Sequence, residues 1–268
     1  MKLLIITSLF IAVNAQNCSQ VYFGNRYYKL ELLKEGLNNV QDLKLNPNDN
    51  TLYFIIDQIA KWPTKALGYL NIDNKESGII EGIRNATTIA IDKDYNRVYV
   101  GGSDGIYRIN DKKTPEILPI RDSIHSMFFK NALFYTNKRK QAYIYENNYI
   151  NPIYELQGVE AENIMLDDDN NIFFTQGKTL FRVKMGTKAI NSHEKYRVDV
   201  LAADGYFKPY ISTKEGVYVY NKYKYVFDKV SSIVYVKALT FTKNDEPIFC
   251  AFDKLIRLTS NSDICLTQ

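Results

Sequence analysis

The chain has 268 residues, with 34 Lys and Arg against 30 Asp and Glu, and a formal net charge of +4. The charges are interspersed, with no basic block longer than Lys138-Arg139-Lys140, so the sequence excludes the basic surface typical of nucleic-acid-binding proteins. The 21 Tyr and 14 Phe, against a single Trp, favour pleated, half-buried β-strands.

The first residues have the pattern of a secretory signal peptide. Lys2 is followed by an apolar run from Leu3 to Val13, and Ala15 completes a small-residue cleavage pattern. A membrane-spanning helix needs about 20 apolar residues, and neither this run nor any later stretch reaches that length. We therefore expect residues 1–15 to be removed and residues 16–268 to form one secreted, extracellular, monomeric domain that contacts no membrane.

A repeat follows along the rest of the chain. Six segments share a short apolar strand, a polar turn and a second alternating strand: TLYFIIDQ with ALGYLNID, RVYVGGSDGIYRIN, ALFYTNKRKQAYIYEN, NIFFTQGKTLFRVK, KPYISTKEGVYVYN and EPIFCAFDKLIRLT. Another apolar stretch precedes each pair, and pieces such as GIIEGI, EILPI, PIYELQ and KYVFD supply further strands. Four antiparallel strands at a period of about 40 residues are typical of a propeller blade. The sequence therefore predicts an all-β, six-bladed β-propeller.

The two ends of the chain predict how the ring closes. The last unit has three strands and finishes at Leu258, whereas RYYKLELL near the N-terminus is a strand without a blade. If Arg26 to Leu33 form the outer strand of the sixth blade, that blade has four strands and an open sheet edge is covered. A two-sheet sandwich or a large barrel would explain the strands but not the repeat.

Patterns that indicate catalysis or metal binding are missing from the sequence. It has no H-E-x-x-H pair and no phosphate-binding glycine loop. The only histidines are His125 and His193, and the polar segment NSHEK predicts that His193 is exposed in a turn rather than a metal ligand. The run Asp167-Asp168-Asp169 is predicted to be a solvated hairpin turn rather than a calcium site. We expect no enzyme activity, bound metal or cofactor.

Alignment of the six units predicts a ring of side chains at one mouth of the central channel, where the innermost strands begin. The ring holds Gln41, Thr87, His125, Glu162, Val198 and Lys237, and just outside it lie Asn39, Asn85, Ser123, Glu160, Tyr196 and Tyr235. The first blade also carries the insertion DQIAKWPTKA, in which Trp62 either caps the mouth or packs on its own blade. So polar a ring is consistent with a ligand site or with a channel filled by structural water.

Extended segments also carry a resemblance to a known family. They are the short signal followed by Cys18, NDNTLYFIIDQIAKWPTKALGYLNID, RVYVGGSDGIYRIN and the terminal PIFCAFDKLIRLTSNSDIC. Over nearly its whole length the sequence resembles the ommochrome-binding proteins of moths and butterflies. The resemblance implies a haemolymph protein that carries or stores ommochromes, which are planar phenoxazinone pigments bearing amino-acid side chains and carboxylates.

Such a ligand assigns roles to the residues of the mouth. Aromatic side chains stack on a flat ring system, and cationic or amide groups bind its carboxylates. Glu162 would oppose an anionic group and is instead expected to receive the amine of the pigment. The predicted ligand-binding residues are Gln41, Trp62, Arg84, His125, Glu162, Tyr196, Tyr235 and Lys237.

Two other functions remain open on the sequence alone. Six-bladed propellers include calcium-dependent lactonases and related hydrolases, and the oxygen ligands for such a metal would come from Asn39, Asp42, Glu162 and Asp199. Lys237 and His125 in the same ring oppose a cation there. The other alternative is a propeller that binds a protein partner through a blade face or its loops.

Secretion also determines how the cysteines and two asparagines are interpreted. In an oxidising compartment, three cysteines leave one thiol unpaired. Cys18 precedes the closing strand and Cys265 follows the third strand of the same blade, so both are predicted to lie near one hairpin end. Cys250, within the apolar run PIFCAF, is then a free and buried thiol. The sequons at Asn17 and Asn85 are candidate N-glycosylation sites.

Peptide mapping of the secreted protein without reduction should recover Cys18 and Cys265 in one pair of disulfide-linked peptides. Closing nearly the whole chain into a loop stabilises it by about 4 to 5 kcal/mol if the effect is entropic. Cys250 should react with an alkylating reagent only after denaturation. Recovery of Cys250 in a disulfide would contradict both this pairing and the strand assignment behind it.

Overall fold

The computed structural model describes residues 20–59 and 64–260. In these residues the regular structure is all β apart from one 3₁₀ turn, Tyr154–Leu156. None of their helical segments is long and apolar enough to cross a bilayer. The predicted signal peptide and several predicted functional residues lie outside the described part of the chain, namely Asn17, Cys18, Trp62 and Cys265.

The strands form six antiparallel sheets, the blades of a propeller. In chain order, β1 (Gln20–Phe23) and β2 (Arg26–Lys34) belong to the last blade. Blade 1 is β3 (Asp42–Asn46), β4 (Thr51–Gln58), β5 (Thr64–Asn71) and β6 (Ser77–Ile80), and blade 2 is β7 (Thr88–Asp92), β8 (Arg97–Gly101), β9 (Ile106–Ile109) and β10 (Pro115–Ile117). Blade 3 is β11 (Ile124–Lys130), β12 (Ala132–Asn137), β13 (Ala142–Glu146) and β14 (Tyr149–Pro152), and blade 4 is β15 (Ile164–Leu166), β16 (Asn171–Gln176), β17 (Thr179–Lys184) and β18 (Ile190–Arg197). Blade 5 is β19 (Val200–Ala203), β20 (Pro209–Thr213), β21 (Gly216–Asn221) and β22 (Val226–Ser231), and blade 6 ends with β23 (Val236–Phe241), β24 (Pro247–Ala251) and β25 (Lys254–Ser260). The predicted all-β, six-bladed propeller is confirmed.

The core lies between neighbouring blades, because each middle strand is covered on both faces. Consecutive side chains of a strand point to opposite faces of the sheet. In blade 4, Phe173 packs with Ile211 of blade 5, whereas the next residue, Phe174, packs with Phe134 of blade 3. Both Phe173 and Phe174 are fully buried. The second strands therefore appear in the sequence as short continuous apolar runs.

The ring is closed by the N-terminal strand, as the sequence predicted. The sheet of the last blade has the order β1-β2-β25-β24-β23, and Leu30 of β2 pairs with the fully buried Leu258 of β25. The hairpin strand β1, which the sequence did not predict, adds a fifth strand at the outer edge. It also reaches blade 5, since the Gly24 amide donates to the Val230 carbonyl at 2.9 Å. Closure therefore ties blade 6 to its neighbour.

Two sequence predictions about the outer strands were wrong. PIYELQ was expected to be extended, but β14 ends at Pro152 and the 3₁₀ turn follows, because the Leu156 amide donates back to the Ile153 carbonyl at 3.1 Å. His193 was expected in an exposed turn, but it lies in β18 and is half-buried, with its ring stacked on Phe173. Because an outer strand has one solvated face, its sequence contains many polar residues and was mistaken for a turn.

Replacing Tyr28 with alanine should destabilise the closed ring by about 3 to 5 kcal/mol, as expected for a buried aromatic residue. Tyr28 is 3% exposed in β2, packs edge-on against Phe23 and accepts a hydrogen bond from Arg26 Nε at 2.7 Å. The matched control is its neighbour Tyr27, which is 61% exposed, so Tyr27→Ala should change stability by less than about 1 kcal/mol. Urea unfolding of the two variants measures the difference, and equal losses would contradict the burial of β2.

Candidate functional site

The innermost strands of the six blades surround a central cavity of about 530 Å³. This volume lies within the roughly 300 to 1,000 Å³ typical of pockets for small organic ligands. The cavity extends from the mouth, where the innermost strands begin, to the turns that follow the same strands at the other end. Both ends contribute polar and aromatic side chains, with apolar residues such as Leu45, Met127 and Leu239 between them.

Four residues of the predicted mouth ring line this cavity: Gln41, Thr87, His125 and Lys237. The first two are engaged within the protein. Gln41 Nε2 donates to Asp57 Oδ1 at 2.9 Å, and Thr87 Oγ1 donates to the Ile124 carbonyl at 2.8 Å. His125 and Lys237 have exposed side chains that face the cavity. They are the predicted residues best placed to contact a ligand at the mouth.

In blade 4 the ring position is taken by Asn163, which lines the cavity, and not by Glu162. The innermost strand β15 begins at Ile164, so Glu162 is two residues outside the strand. Its carboxylate instead contacts Lys140 Nζ at 3.0 Å and accepts from the Gly177 amide at 3.1 Å. Because side chains alternate between the faces of a strand, a shift of one residue is enough to move a position out of the ring.

The other predicted residues in the described part of the chain also lie outside the cavity lining. Tyr196 is buried between blades 4 and 5, with its hydroxyl donating to the Phe227 carbonyl at 2.9 Å. Val198 is buried as well. Tyr235 is exposed and packs against the exposed ring of Phe252, with the ring centroids 5.6 Å apart. Five loop residues complete the set: exposed Asn39, Arg84 and Glu160, and half-buried Asn85 and Ser123.

The local charges affect the protonation of His125. Desolvation within the channel lowers the pKa of His125 below its usual value. The Glu162 carboxylate acts to raise that pKa, whereas the ammonium groups of Lys65 and Lys140 act to lower it. The imidazole is therefore neutral at pH 7, and it offers a ligand one hydrogen-bond donor and one acceptor rather than a positive charge.

The four oxygen groups considered as calcium ligands are engaged elsewhere. Asp42 accepts hydrogen bonds from the Ile89 amide at 2.7 Å and from Lys44 Nζ at 3.2 Å. Asp199 and Glu162 form ion pairs with lysines, and Asn39 donates to Asp57 at 2.7 Å. Across residues 20–59 and 64–260, no three His, Cys, Asp or Glu side chains are grouped closely enough to hold a metal ion.

The run Asp167-Asp168-Asp169 forms the predicted turn between the first two strands of blade 4, but the turn is not wholly solvated. Asp167 is buried, and its carboxylate accepts from the Asn171 amide at 2.7 Å. Lys222 binds Asp168 at 2.6 Å and Asp169 at 3.1 Å. One lysine therefore compensates Asp168 and Asp169, and Asn171 binds Asp167.

At the end opposite the mouth, a turn of blade 5 reaches across the channel. Lys93 Nζ of blade 2 donates to the Gly205 carbonyl of blade 5 at 2.8 Å. Adjacent innermost strands pack in the order of the blades, so blades 2 and 5 stand on opposite sides of the ring. In the same turn, Phe207 packs edge-on against Phe128 of blade 3, with the ring centroids 6.0 Å apart. The sequence repeat gave no signal for this contact.

Comparison with known proteins finds that no family model matches the chain. The ommochrome-binding protein of Manduca sexta is 26% identical over 268 residues, which cover 96% of this chain and 98% of that protein. A gluconolactonase from Xanthomonas campestris superposes with a TM-score of 0.67 at 11% identity over 91% of this chain and 95% of its own. The WD40 β-propeller domain of Doa1 gives a TM-score of 0.60 at 12% identity over 88% of this chain and 98% of its own. At these identities the two structures share the fold alone.

In an NMR titration, the His125 imidazole should titrate at a lower pH than a free imidazole. Glu162→Gln should lower its pKa further, because a carboxylate that stabilises the imidazolium is lost, and Lys65→Gln should raise it. The internal control is His193, whose pKa is lowered by burial and by Arg182, and which should respond to neither change. Titration of His125 at the free value would show that its ring is fully solvated.

Proposed function

We propose that this chain, which is similar to the ommochrome-binding protein of Manduca sexta over nearly its whole length, binds an ommochrome in its central channel and catalyses no reaction. The observation that carries this proposal is the similarity over 268 aligned residues, which cover 96% of this chain and 98% of that protein. The signal-peptide pattern at the N-terminus supports a carrier or store outside the cell, in the haemolymph.

The cavity has the chemistry that such a pigment requires. A flat ring system needs a space walled by apolar and aromatic side chains, and its carboxylates need ammonium or amide partners. The apolar middle of the channel supplies the first, and Lys237 and Asn163 at the mouth supply the second. His125 adds a neutral aromatic ring beside them.

The predicted contacts of Glu162, Tyr196, Tyr235 and Arg84 are not part of this proposal. Their side chains do not line the cavity, and those of Glu162 and Tyr196 are already bonded within the protein. The contribution of Trp62 rests on its sequence position alone. As the single tryptophan, it provides a fluorescence signal that a bound pigment would quench if the two lie close together.

The alternative is a metal-dependent hydrolase. Its support is the fold shared with the gluconolactonase, and six-bladed propellers host unrelated functions. The carboxylates at the mouth are compensated by lysines or backbone amides rather than gathered around a vacant centre. Calorimetry with calcium and an assay of lactone hydrolysis test this alternative directly. Calcium binding together with turnover would replace the carrier proposal.

Lys237→Gln should weaken ommochrome binding roughly fivefold, because a partly exposed ammonium group contributes about 1 kcal/mol to an ion pair. Titration of the visible absorption band against the purified protein measures the affinity. Lys214→Gln is the control, since Lys214 is exposed and lies outside the cavity lining. Trp62→Ala should also weaken binding, with little change in melting temperature. Unchanged affinity in both the Lys237 and Trp62 variants would show that the ligand does not bind at the mouth.

A further inference from the structure

The end of the channel opposite the mouth has the features of a built subsite. Four side chains from three blades define this closed end: Lys93, Phe128, Lys130 and Phe207. All of them line the same cavity as the mouth residues. A ligand that enters at the mouth therefore reaches this end without leaving the channel.

The closed end is formed by the turn between β19 and β20, residues 204–208. The Asp204 carboxylate holds the turn, because its Oδ1 accepts from the Tyr206 and Lys208 amides at 2.9 Å each. Lys93 then anchors it from the opposite side of the ring through the Gly205 carbonyl. The turn thus spans the channel and gives the cavity a floor.

Phe207 lies in this floor with an unfavourable backbone conformation. Its φ is 63°, a left-handed conformation that is unfavourable for a bulky side chain and that glycine or asparagine adopts more readily. Such conformations persist where surrounding contacts hold them, and they are common at ligand sites. Here the ring of Phe207 lies against Phe128, with Lys93 Nζ 4.9 Å and Lys130 Nζ 5.3 Å from its centroid.

The two lysines of the floor differ in their surroundings. Lys93 donates to a backbone carbonyl, and Lys130 donates to the carbonyls of Asp167 and Asp168 and to Asn170 Oδ1. Neither ammonium forms a direct ion pair with a described residue, but the nearby carboxylates of Asp167, Asp168 and Asp169 act to raise the pKa of Lys130. Lys93 is therefore the ammonium beside the Phe207 ring that is available to a flat anion.

We propose that the closed end is a subsite for the carboxylate-bearing edge of a flat aromatic ligand, with Phe207 as its ring contact and Lys93 as its charge contact. This inference rests on the proposed function, because it orients the same ligand within the same channel. It predicts that the floor binds one carboxylate of the ligand in addition to the one that Lys237 contacts at the mouth. The competing explanation is that Lys93 and Phe207 only fasten the turn.

The test compares two ligands: xanthommatin, which is a carboxylated ommochrome, and an aminophenoxazinone without carboxylates. Lys93→Gln should weaken xanthommatin binding about tenfold and binding of the uncharged compound less than about twofold, because only the first loses an ion pair. Phe207→Gly should weaken both about three- to tenfold, because the stacking partner is lost. Glycine suits the positive φ, so this variant should fold with an unchanged or higher melting temperature.

The matched controls are Lys112→Gln and Tyr95→Ala, which remove an exposed charge and an exposed ring from blade 2 outside the cavity lining. Both should bind as the wild type does. If the wild type binds xanthommatin but Lys93→Gln weakens both ligands equally or neither, the subsite is overturned and the proposed function stands. If the wild type binds neither ligand, the proposed function fails and the subsite fails with it.

Discussion

The pairing of β2 with β25 holds the two ends of the chain in one sheet, and the channel depends on that pairing. Without β2, the last blade would end at β25 with an open row of backbone donors and acceptors. The β1 hairpin strengthens the closure, since Ser231 Oγ of blade 5 donates to the Tyr22 carbonyl at 2.8 Å. The ring of blades stays closed only while this junction is intact. The width of the central cavity therefore depends on a contact that is not part of the cavity.

Short polar side chains fix the innermost strands relative to one another. Blade 1 meets blade 2 where Asp42 accepts from the Ile89 amide, and blade 2 meets blade 3 where Thr88 Oγ1 accepts from the Met127 amide at 3.1 Å. Similar bonds link Ser126 to Ile164, Ser212 to Val236 and Thr240 to Leu45. Much of the polarity that the sequence places around the channel therefore serves the junctions between blades. The side chains left to contact a ligand are fewer than the composition of the ring implies.

The repeat made the fold predictable because every blade obeys the same alternation. Apolar runs such as TLYFIIDQ and NIFFTQ indicate strands that are covered on both faces. The segment RYYKLELL, which belonged to no other blade, indicated that the N-terminal strand closes the ring. Contacts between distant residues left no such trace. Lys93 and Gly205 are 112 positions apart and meet only because blades 2 and 5 face each other across the ring. Likewise, the inward turn of Tyr196 toward Phe227 depends on the neighbouring blade.

The positions of the mouth ring could be predicted only to within one residue, and at this site one residue is decisive. Glu162 and Asn163 are neighbours, yet only Asn163 lines the cavity. Two of the predicted positions that line the cavity lie at irregular pairing, since the register shifts between Ile124 and Ser126, on either side of His125, and again between Val236 and Ala238, on either side of Lys237. At these bulges the extra residue has no partner in the ladder, and its side chain is redirected. His125 and Lys237 thus face the channel because of local departures from the repeat.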